Sequence, residues 1–350
     1  MKLPIQIAVV GAGTIGLAHI NAIVNTPGIQ LNAIVDTAEN VADLEVKFGV
    51  PVLKSLEELF RLKPPNGVVL ATPNQLHVEQ ALFCLEKNVS ILLEKPIATS
   101  VREGEKIVLA SRTSAGRVLI GHHRAHSPIM MEAKKVIDSG ELGRLVALMG
   151  SATFMKPDIY FEQAPWRKKM GAGPILINMI HEVHNMRMLC GNINSVQAIS
   201  SNVIRNFEVE DTVAINLEFG NGVLGSFMLS DTAACARSWE QTSKEDSVYP
   251  SSSDEDCYVL TGTHGTLNIP TMRIKSYVNP QERSWWTPFS EKAIDFSRAD
   301  PLALQMLHFS EVIRENVEPL VTAQDGLENL KVTEAIRQAA QTGMRVKIDS

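Results

Sequence analysis

Six residues near the start of the chain, Gly11-Ala12-Gly13-Thr14-Ile15-Gly16, have the spacing of a phosphate-binding turn. In such a turn the first glycine permits a tight bend, the second lets the backbone approach a pyrophosphate, and the third lets a helix pack closely on a strand. The helix N-terminus that follows offers N–H groups and a partial positive charge. Gly11, Gly13, Thr14, Ile15 and Gly16 are therefore read as dinucleotide contacts. Asp36 lies twenty positions beyond Gly16, where a carboxylate meets a ribose 2′-hydroxyl. A carboxylate there repels a 2′-phosphate, and Thr37, Ala38 and Glu39 supply no cation. The expected cofactor is NAD, with NADP disfavoured by Asp36. The bland alternative is a tight turn that uses an aspartate as a cap.

Moving a hydride to or from an alcohol needs a base for the hydroxyl proton and a donor to hold the developing alkoxide. Lys95 and His181 are residue types suited to those tasks, although taken alone each reads as well as a solvated lysine and a core histidine. His181-Glu182-Val183-His184 places two histidines three apart, whereas the zinc motif HExxH needs four, so no metal is expected. His184 and Asn185 share a helix face with His181 and are candidate substrate contacts. His123 and Arg124 lie in the polar run His122-His123-Arg124-Ala125-His126, where an arginine could clamp a carboxylate or merely pin a helix. Trp166-Arg167 and Trp285-Trp286 could stack on a sugar ring, though packing is a tryptophan's commoner use. Arg124, Trp166 and Arg167 together suggest an acidic sugar or a cyclic carboxylate diol as substrate.

These residues need a frame. An apolar run over 5–10 reads as a buried strand, and the glycines lead into a helix that ends near Asn25. Strands follow at 31–35, 50–53, 67–71, 89–93 and 118–121. They alternate with helices at 38–48, 56–61, 75–86 and 100–114, and Ser55 with Glu58 suggests a capping box. Alternation of this kind predicts parallel βαβ units and a doubly wound sheet. Beyond a helix at 127–139, alternating patterns at 145–154, 196–203, 212–219, 222–230, 257–261 and 265–269 predict a largely antiparallel sheet. A helix is expected at 175–189, a loop at 242–256, and two amphipathic helices at 301–316 and 323–341. The predicted fold class is α/β, an N-terminal Rossmann sheet joined to a C-terminal α+β domain with a large, open, mostly antiparallel sheet. Domain boundaries are placed at 1–122 for NAD binding and 123–350 for substrate binding and oligomerisation, with the helices of 301–342 able to pack back on the first domain.

Glu94-Lys95-Pro96 after the fifth strand, Ala71-Thr72-Pro73-Asn74, His77, Gly121-His122-His123-Arg124, and Gly171-Ala172-Gly173-Pro174 leading to His181 complete a recognisable set. With the glycine fingerprint, the chain resembles the glucose–fructose oxidoreductase / inositol dehydrogenase / MocA family along nearly its whole length. The resemblance implies oxidation of a secondary alcohol on a sugar, sugar acid, polyol or cyclic diol, or the reverse reduction, where the nicotinamide meets the C-terminal sheet. It adds Thr72, Pro73, Asn74, His77, Glu94 and Lys95 to the cofactor contacts and makes Lys95 and His181 catalytic. It also implies a cis Lys95–Pro96 peptide and a homodimer or homotetramer formed through the C-terminal sheet. One departure stands out: the aspartate usual four residues before the histidine is Ile177 here, and His184 replaces another three residues after it. Asn178 is the polar neighbour that could partly compensate and contact substrate. Two alternatives stay open, a glycoside hydrolase that retains NAD and a non-catalytic dinucleotide or sugar sensor.

Bulk properties fit a carbohydrate-like small-molecule substrate. The 350 residues suggest two domains, and 45% hydrophobic with 21% charged residues is ordinary globular composition. A net charge of −6 gives no basic field for nucleic acid or an anionic membrane. The apolar stretch after Lys2 loosely resembles a signal peptide, but Gly11, Gly13, Gly16, His19 and Asn21 break it. Four dispersed cysteines form no CxxC pair, as expected of reduced thiols in a cytoplasm.

Overall fold

The computed structural model describes residues 3–38, 41 and 43–349. The chain divides into two compact units, one formed by residues up to His126 with Asp300–Leu330, the other by Ser127–Ala299 with the chain from Lys331 onward.

The first unit alternates strand and helix: β1 (Ile5–Val10), α1 (Thr14–Asn25), β2 (Ile29–Val35), α2 (Asp43–Phe48), β3 (Val52–Leu53), α3 (Leu56–Leu62), β4 (Gly67–Leu70), α4 (His77–Glu86), β5 (Ser90–Leu93), α5 (Val101–Ser111) and β6 (Val118–Ile120). The six strands are parallel in the order β3-β2-β1-β4-β5-β6, so the chain reverses its direction of growth between β1 and β4. Every residue of β4, β5 and β6 is buried, which is why these strands read as unbroken apolar runs. Pairing continues one residue past the strand ends. Gly11 N donates to Val35 O, Asp36 N to Leu53 O, Ala71 N to Val10 O, Glu94 N to Leu70 O and Gly121 N to Leu93 O, all at 2.7–3.0 Å. Five of the residues singled out by motif, or their immediate neighbours, thus stand in one row along the carboxyl edge.

Two expectations need correction here. Of the helix expected at 38–48, Asp43–Phe48 forms α2, while Ala38 is not helical: the Asp36 carboxylate accepts from its N at 2.8 Å and turns the chain as it leaves β2. Glu39, Asn40 and Ala42 of that expectation, like Lys2, lie outside the described residues. The capping box of α3 is half made: Ser55 Oγ accepts from Glu58 N at 3.2 Å, but Glu58 Oε2 reaches Lys54 N, at 2.9 Å, rather than Ser55 N.

The second unit contains α6 (Pro128–Asp138), β7 (Leu145–Thr153), α7 (Asp158–Glu162), α8 (Ile180–Cys190), β8 (Ile193–Ser201), β9 (Thr212–Phe219), β10 (Leu224–Ser230), α9 (Trp239–Thr242), β11 (Tyr258–Gly262), β12 (Gly265–Ile269), β13 (Arg273–Ser276) and β14 (Ser290–Ala293). The chain ends with α10 (Pro301–Ile313) in the first unit, α11 (Ala323–Thr342), and β15 (Val346–Lys347) back in the second. Nine strands form one sheet in the order β14-β13-β12-β11-β7-β10-β9-β8-β15, antiparallel except for the β7–β10 pair. Strands β13, β14 and β15 were not expected. β14 and β15 are the edges of the sheet and β13 lies between β14 and β12; all three are short, and β14 is exposed at all four residues, so no alternation marks it. The helix expected at 175–189 opens instead as a π-helix over Ile175–Met179 before α8 begins.

Ile129, Met130, Leu148, Val183, Met186, Phe227 and Tyr258 belong to the core of the second unit. Gly150 of β7 pairs with Phe227 on one side and Tyr258 on the other. A Cβ at Gly150 would lie 2.5 Å from Phe227 Cδ2 and 3.1 Å from Tyr258 Cδ1, so the two rings occupy the space a side chain would take. Among the described residues no helix is long and apolar enough to cross a membrane. Gly150→Ala should destabilise the second unit by about 1–3 kcal/mol through overpacking. Urea unfolding followed by tryptophan fluorescence reads this out, and an unchanged midpoint would show that the rings can yield.

Candidate active site

At the carboxyl edge of the first sheet a cavity of about 680 Å³ is lined by Gly11, Gly13, Asp36, Thr72 and Pro73, among others. The glycines divide the work of shaping it. Gly11 has φ +89°, and a Cβ there would sit 2.7 Å from Ala71 O; at Gly16 it would sit 1.9 Å from Gly11 O. Both are demanded by the fold of the turn. Around Gly13 nothing lies within 4 Å of a built Cβ, so this backbone faces open space that a ligand can fill. No side chain caps α1, whose first residues are Thr14 and Ile15, and the N–H groups of that turn remain suited to a phosphate.

Asp36 is bound into the turn from the other side. Its Oδ2 accepts from Ala12 N at 2.7 Å, which ties the end of β2 to the glycine loop. Lys54, invisible to the motif because it follows β3, also lines the cavity and donates to Ala38 O at 3.3 Å. The Asp36 end therefore holds a cation that reading the residues immediately after Asp36 missed.

Thr72, Pro73 and Asn74 form the turn between β4 and α4, and Thr72 Oγ1 donates to Gln80 Oε1 at 2.6 Å. His77 is buried, and its role is to hold this turn. Nδ1 lies 2.8 Å from Pro96 O and Nε2 3.0 Å from Thr72 O, so the ring joins the loop after β4 to the loop after β5. Burial lowers the His77 pKa against the pull of those two carbonyls and the charge of Glu94.

The Lys95–Pro96 peptide is cis, as the resemblance implied. Glu94 beside it is buried and accepts from His19 Nε2 at 2.8 Å and from Lys95 N at 3.2 Å. Burial opposes ionisation of Glu94, but the hydrogen bond and charge of His19, with Lys95 and His123, hold its carboxyl below the usual range. Gly121 makes room for it, since a Cβ there would meet Glu94 Cδ at 2.9 Å. The His123–His126 turn follows β6; Arg124 is buried, and burial with the neighbouring Arg124 charge pushes His123 down to about 4.

Within the second unit, Gly173 (φ +91°) leads into the π-helix, whose start is held by Glu210: its Oε1 accepts from Ile175 N at 2.9 Å. Burial raises the Glu210 pKa. Asn178 lies in the π-helical turn and His181 in the first turn of α8, three residues apart. Asn178 Oδ1 accepts from Lys156 Nζ at 2.7 Å. Burial pushes Lys156 down to about 8, with Asp231 opposing. Neither Lys156 nor Glu210 sits in a motif; only their environment distinguishes them. Asn185 is fully buried and donates to Tyr258 Oη at 3.2 Å, and His184 is buried as well. Trp166 is exposed, while the Arg167 guanidinium lies 3.7 Å from the Tyr160 ring centroid and donates to Tyr160 O at 2.6 Å. Trp285 and Trp286 are exposed and meet edge to face, their ring centroids 5.1 Å apart.

Comparison with known proteins bears on the whole chain. Residues 5–122 match a family model described as "Oxidoreductase family, NAD-binding Rossmann fold", and residues 130–268 match "GFO/IDH/MocA C-terminal domain". The chain is 25% identical to 1,5-anhydro-D-fructose reductase of Ensifer adhaerens, over 97% of this chain and 98% of that one. It is also 25% identical to scyllo-inositol 2-dehydrogenase (NAD(+)) of Bacillus subtilis (strain 168), over 100% and 98%. The solved structure of the WlbA dehydrogenase from Bordetella pertussis in complex with NADH and UDP-GlcNAcA shares the fold, with a TM-score of 0.77 at 24% identity over 99% of each chain.

Gly13→Ala should leave the melting temperature nearly unchanged but weaken NAD binding, whereas Gly16→Ala should lower the melting temperature sharply. Calorimetric titration with scanning fluorimetry separates the two; equal effects would mean that Gly13 is structural. The second expectation concerns pH. His123 binds its proton more weakly when folded, so below its ordinary value near 6.5 the unfolded chain takes up protons that the folded chain refuses. Stability should therefore fall as pH drops from 6.5 towards about 4. His123→Asn should make that fall shallower in melting curves, and parallel slopes would show that His123 is protonated in the folded protein.

Proposed function

Because the chain belongs to the GFO/IDH/MocA oxidoreductase family, we propose that it moves a hydride between NAD(H) and a carbon bearing a secondary alcohol or ketone on a sugar, sugar acid, polyol or cyclic diol. The observation that carries this reading is the cavity at the carboxyl edge of the first sheet, where Gly11, Gly13, Asp36, Thr72 and Pro73 converge. Bound NAD+ would supply the acceptor for the hydride released from the alcohol carbon.

The rest falls to the chain. In the oxidative direction His181 takes the hydroxyl proton, and the Lys95 ammonium donates a hydrogen bond to the oxygen as negative charge builds on it. The carbonyl forms as the C–H bond breaks, and reduction reverses each transfer. Glu94, held by His19, supplies negative charge beside the Lys95 ammonium. Ile177 stands where that family's aspartate would share the proton with His181, so on this reading His181 carries the transfer. Asp36 favours NAD by repelling a 2′-phosphate, and Lys54 lines the same end of the cavity. The exposed face of the nine-stranded sheet, with Met149, Leu224 and Met228, is the surface on which a second copy would pack.

The test is nicotinamide absorbance with purified protein, NAD+ or NADP+, and a panel of sugars, sugar acids, polyols and cyclic diols. Reduction of NAD+ in preference to NADP+ is expected, and Lys95→Ala and His181→Ala should each lower kcat/KM by roughly 100-fold or more. Silence across the panel with NAD bound tightly would overturn the dehydrogenase reading. Glycoside cleavage without net reduction would replace it with a hydrolase.

A further inference from the structure

We infer that His19 is a positioning residue for Lys95, acting through the Glu94 carboxylate; this rests on Lys95 being the group that meets the substrate oxygen. His19 lies on the buried face of α1 with Gly16, Ile20, Ala22 and Ile23, and its side chain is 0% exposed. Its companions on that face are glycine and apolar residues, so packing alone would be served by another apolar side chain. A buried imidazole there needs a polar partner. That partner is Glu94: His19 Nε2 lies 2.8 Å from Glu94 Oε1. Nδ1 has no hydrogen-bond partner among the described residues, so the contact with Glu94 is the ring's whole polar engagement.

Glu94 passes that contact on to its neighbour. Although burial opposes ionisation, His19, Lys95 and His123 hold the carboxyl below its usual range. An ionised carboxylate only accepts, so the proton of the pair lies on His19 Nε2. The two oxygens of a carboxylate are rigidly related. With Oε1 fixed by the imidazole, Oε2 faces the Lys95 amide, which donates to it at 3.2 Å. Without His19, Oε1 would be a buried carboxylate oxygen that lacks a donor, and the group would turn or take up a proton. Turning withdraws Oε2 from the Lys95 amide, and protonation removes the negative charge beside the Lys95 side chain.

The helix that carries His19 is the one that starts at the glycine turn. No side chain caps its N-terminus, which leaves those N–H groups suited to a phosphate. Its buried face ties down the turn that bears Lys95. One rigid element thus relates the pyrophosphate turn to the residue that meets the substrate oxygen. Hydride transfer depends on that relation, because a misplacement of about 1 Å can lower a rate by roughly 100-fold.

The test compares His19→Asn with His19→Gln. Both put an amide into the same buried site, but the Gln amide reaches the place of Nε2 and the Asn amide only that of Nδ1. His19→Asn should lower kcat by about 10- to 100-fold, with the Kd for NADH within about twofold of wild type, and His19→Gln should restore most of the loss. In a Glu94→Gln background His19→Asn should have little further effect, because both residues act through one contact. A second readout needs no substrate: trinitrobenzenesulfonate labelling of Lys95, followed by mass spectrometry, with exposed Lys63 as the reference. His19→Asn should speed labelling of Lys95 severalfold and His19→Gln should not. A purely structural histidine would lower the melting temperature in both variants and leave kcat and labelling alike. Equal kcat in the two variants, or effects that multiply in the Glu94→Gln background, would overturn the proposal. If His19→Asn does not fold, Glu94→Gln must by itself slow turnover and speed labelling, or the proposal fails. If the wild type reduces no cofactor with any substrate, the dehydrogenase reading falls, and labelling alone decides this one.

Discussion

The hydrogen bond from Ala12 N to Asp36 Oδ2, 2.7 Å long, is the joint on which the first unit's function turns. It can form only because β1 and β2 are parallel neighbours whose pairing runs one residue past their ends. The same continuation brings Ala71, Glu94 and Gly121 to the edge of the sheet. A slip of one residue in any strand would turn the side chain at its end to the opposite face. The cavity, the cis turn at Lys95 and the Glu94–His19 pair are thus consequences of a register set by buried apolar strands. Chemistry sits at the edge, and specification of its geometry comes from the core.

Much of this was legible because its causes are local. The glycine fingerprint names a backbone shape, and the structure gives each glycine a physical reason: Gly11 and Gly16 have no room for a Cβ, and Gly13 opens on space. Apolar runs separated by helical periods predicted the parallel sheet because complete burial leaves that signature. Alternation likewise revealed the central strands of the second sheet. What escaped notice depends on contacts between residues far apart in sequence. Lys54 reaches the Asp36 end of the cavity by way of β3, eighteen positions later. Glu210 holds the start of the π-helix from thirty-five residues away, and Lys156 meets Asn178 from twenty-two. The strand β14, exposed throughout, has no buried face to imprint a period on its sequence.

Both units bury charge. In the first, Glu94 is buried but matched: His19 donates to one oxygen, the Lys95 amide to the other, and the absence of a side chain at Gly121 leaves space for the group. Its charge is settled before any ligand arrives. In the second, Asp231 accepts from Arg205 at 2.9 Å and pairs with Lys156 at 3.6 Å, while Lys156 also donates to the Asn178 amide oxygen. In both units a buried charge is held by partners far off in sequence, and those partners fix its geometry.

His77 closes the account of the first unit. Its two ring nitrogens each face a carbonyl, Pro96 O on one side and Thr72 O on the other, while burial lowers the pKa of the ring, and a neutral ring carries one N–H. At any instant the ring can donate to only one of the two loops, and its lone pair faces the other. A proton on Nδ1 would tether the turn at Lys95–Pro96, and a proton on Nε2 the turn at Thr72–Pro73. Two loops that follow different strands thus compete for one hydrogen on one side chain.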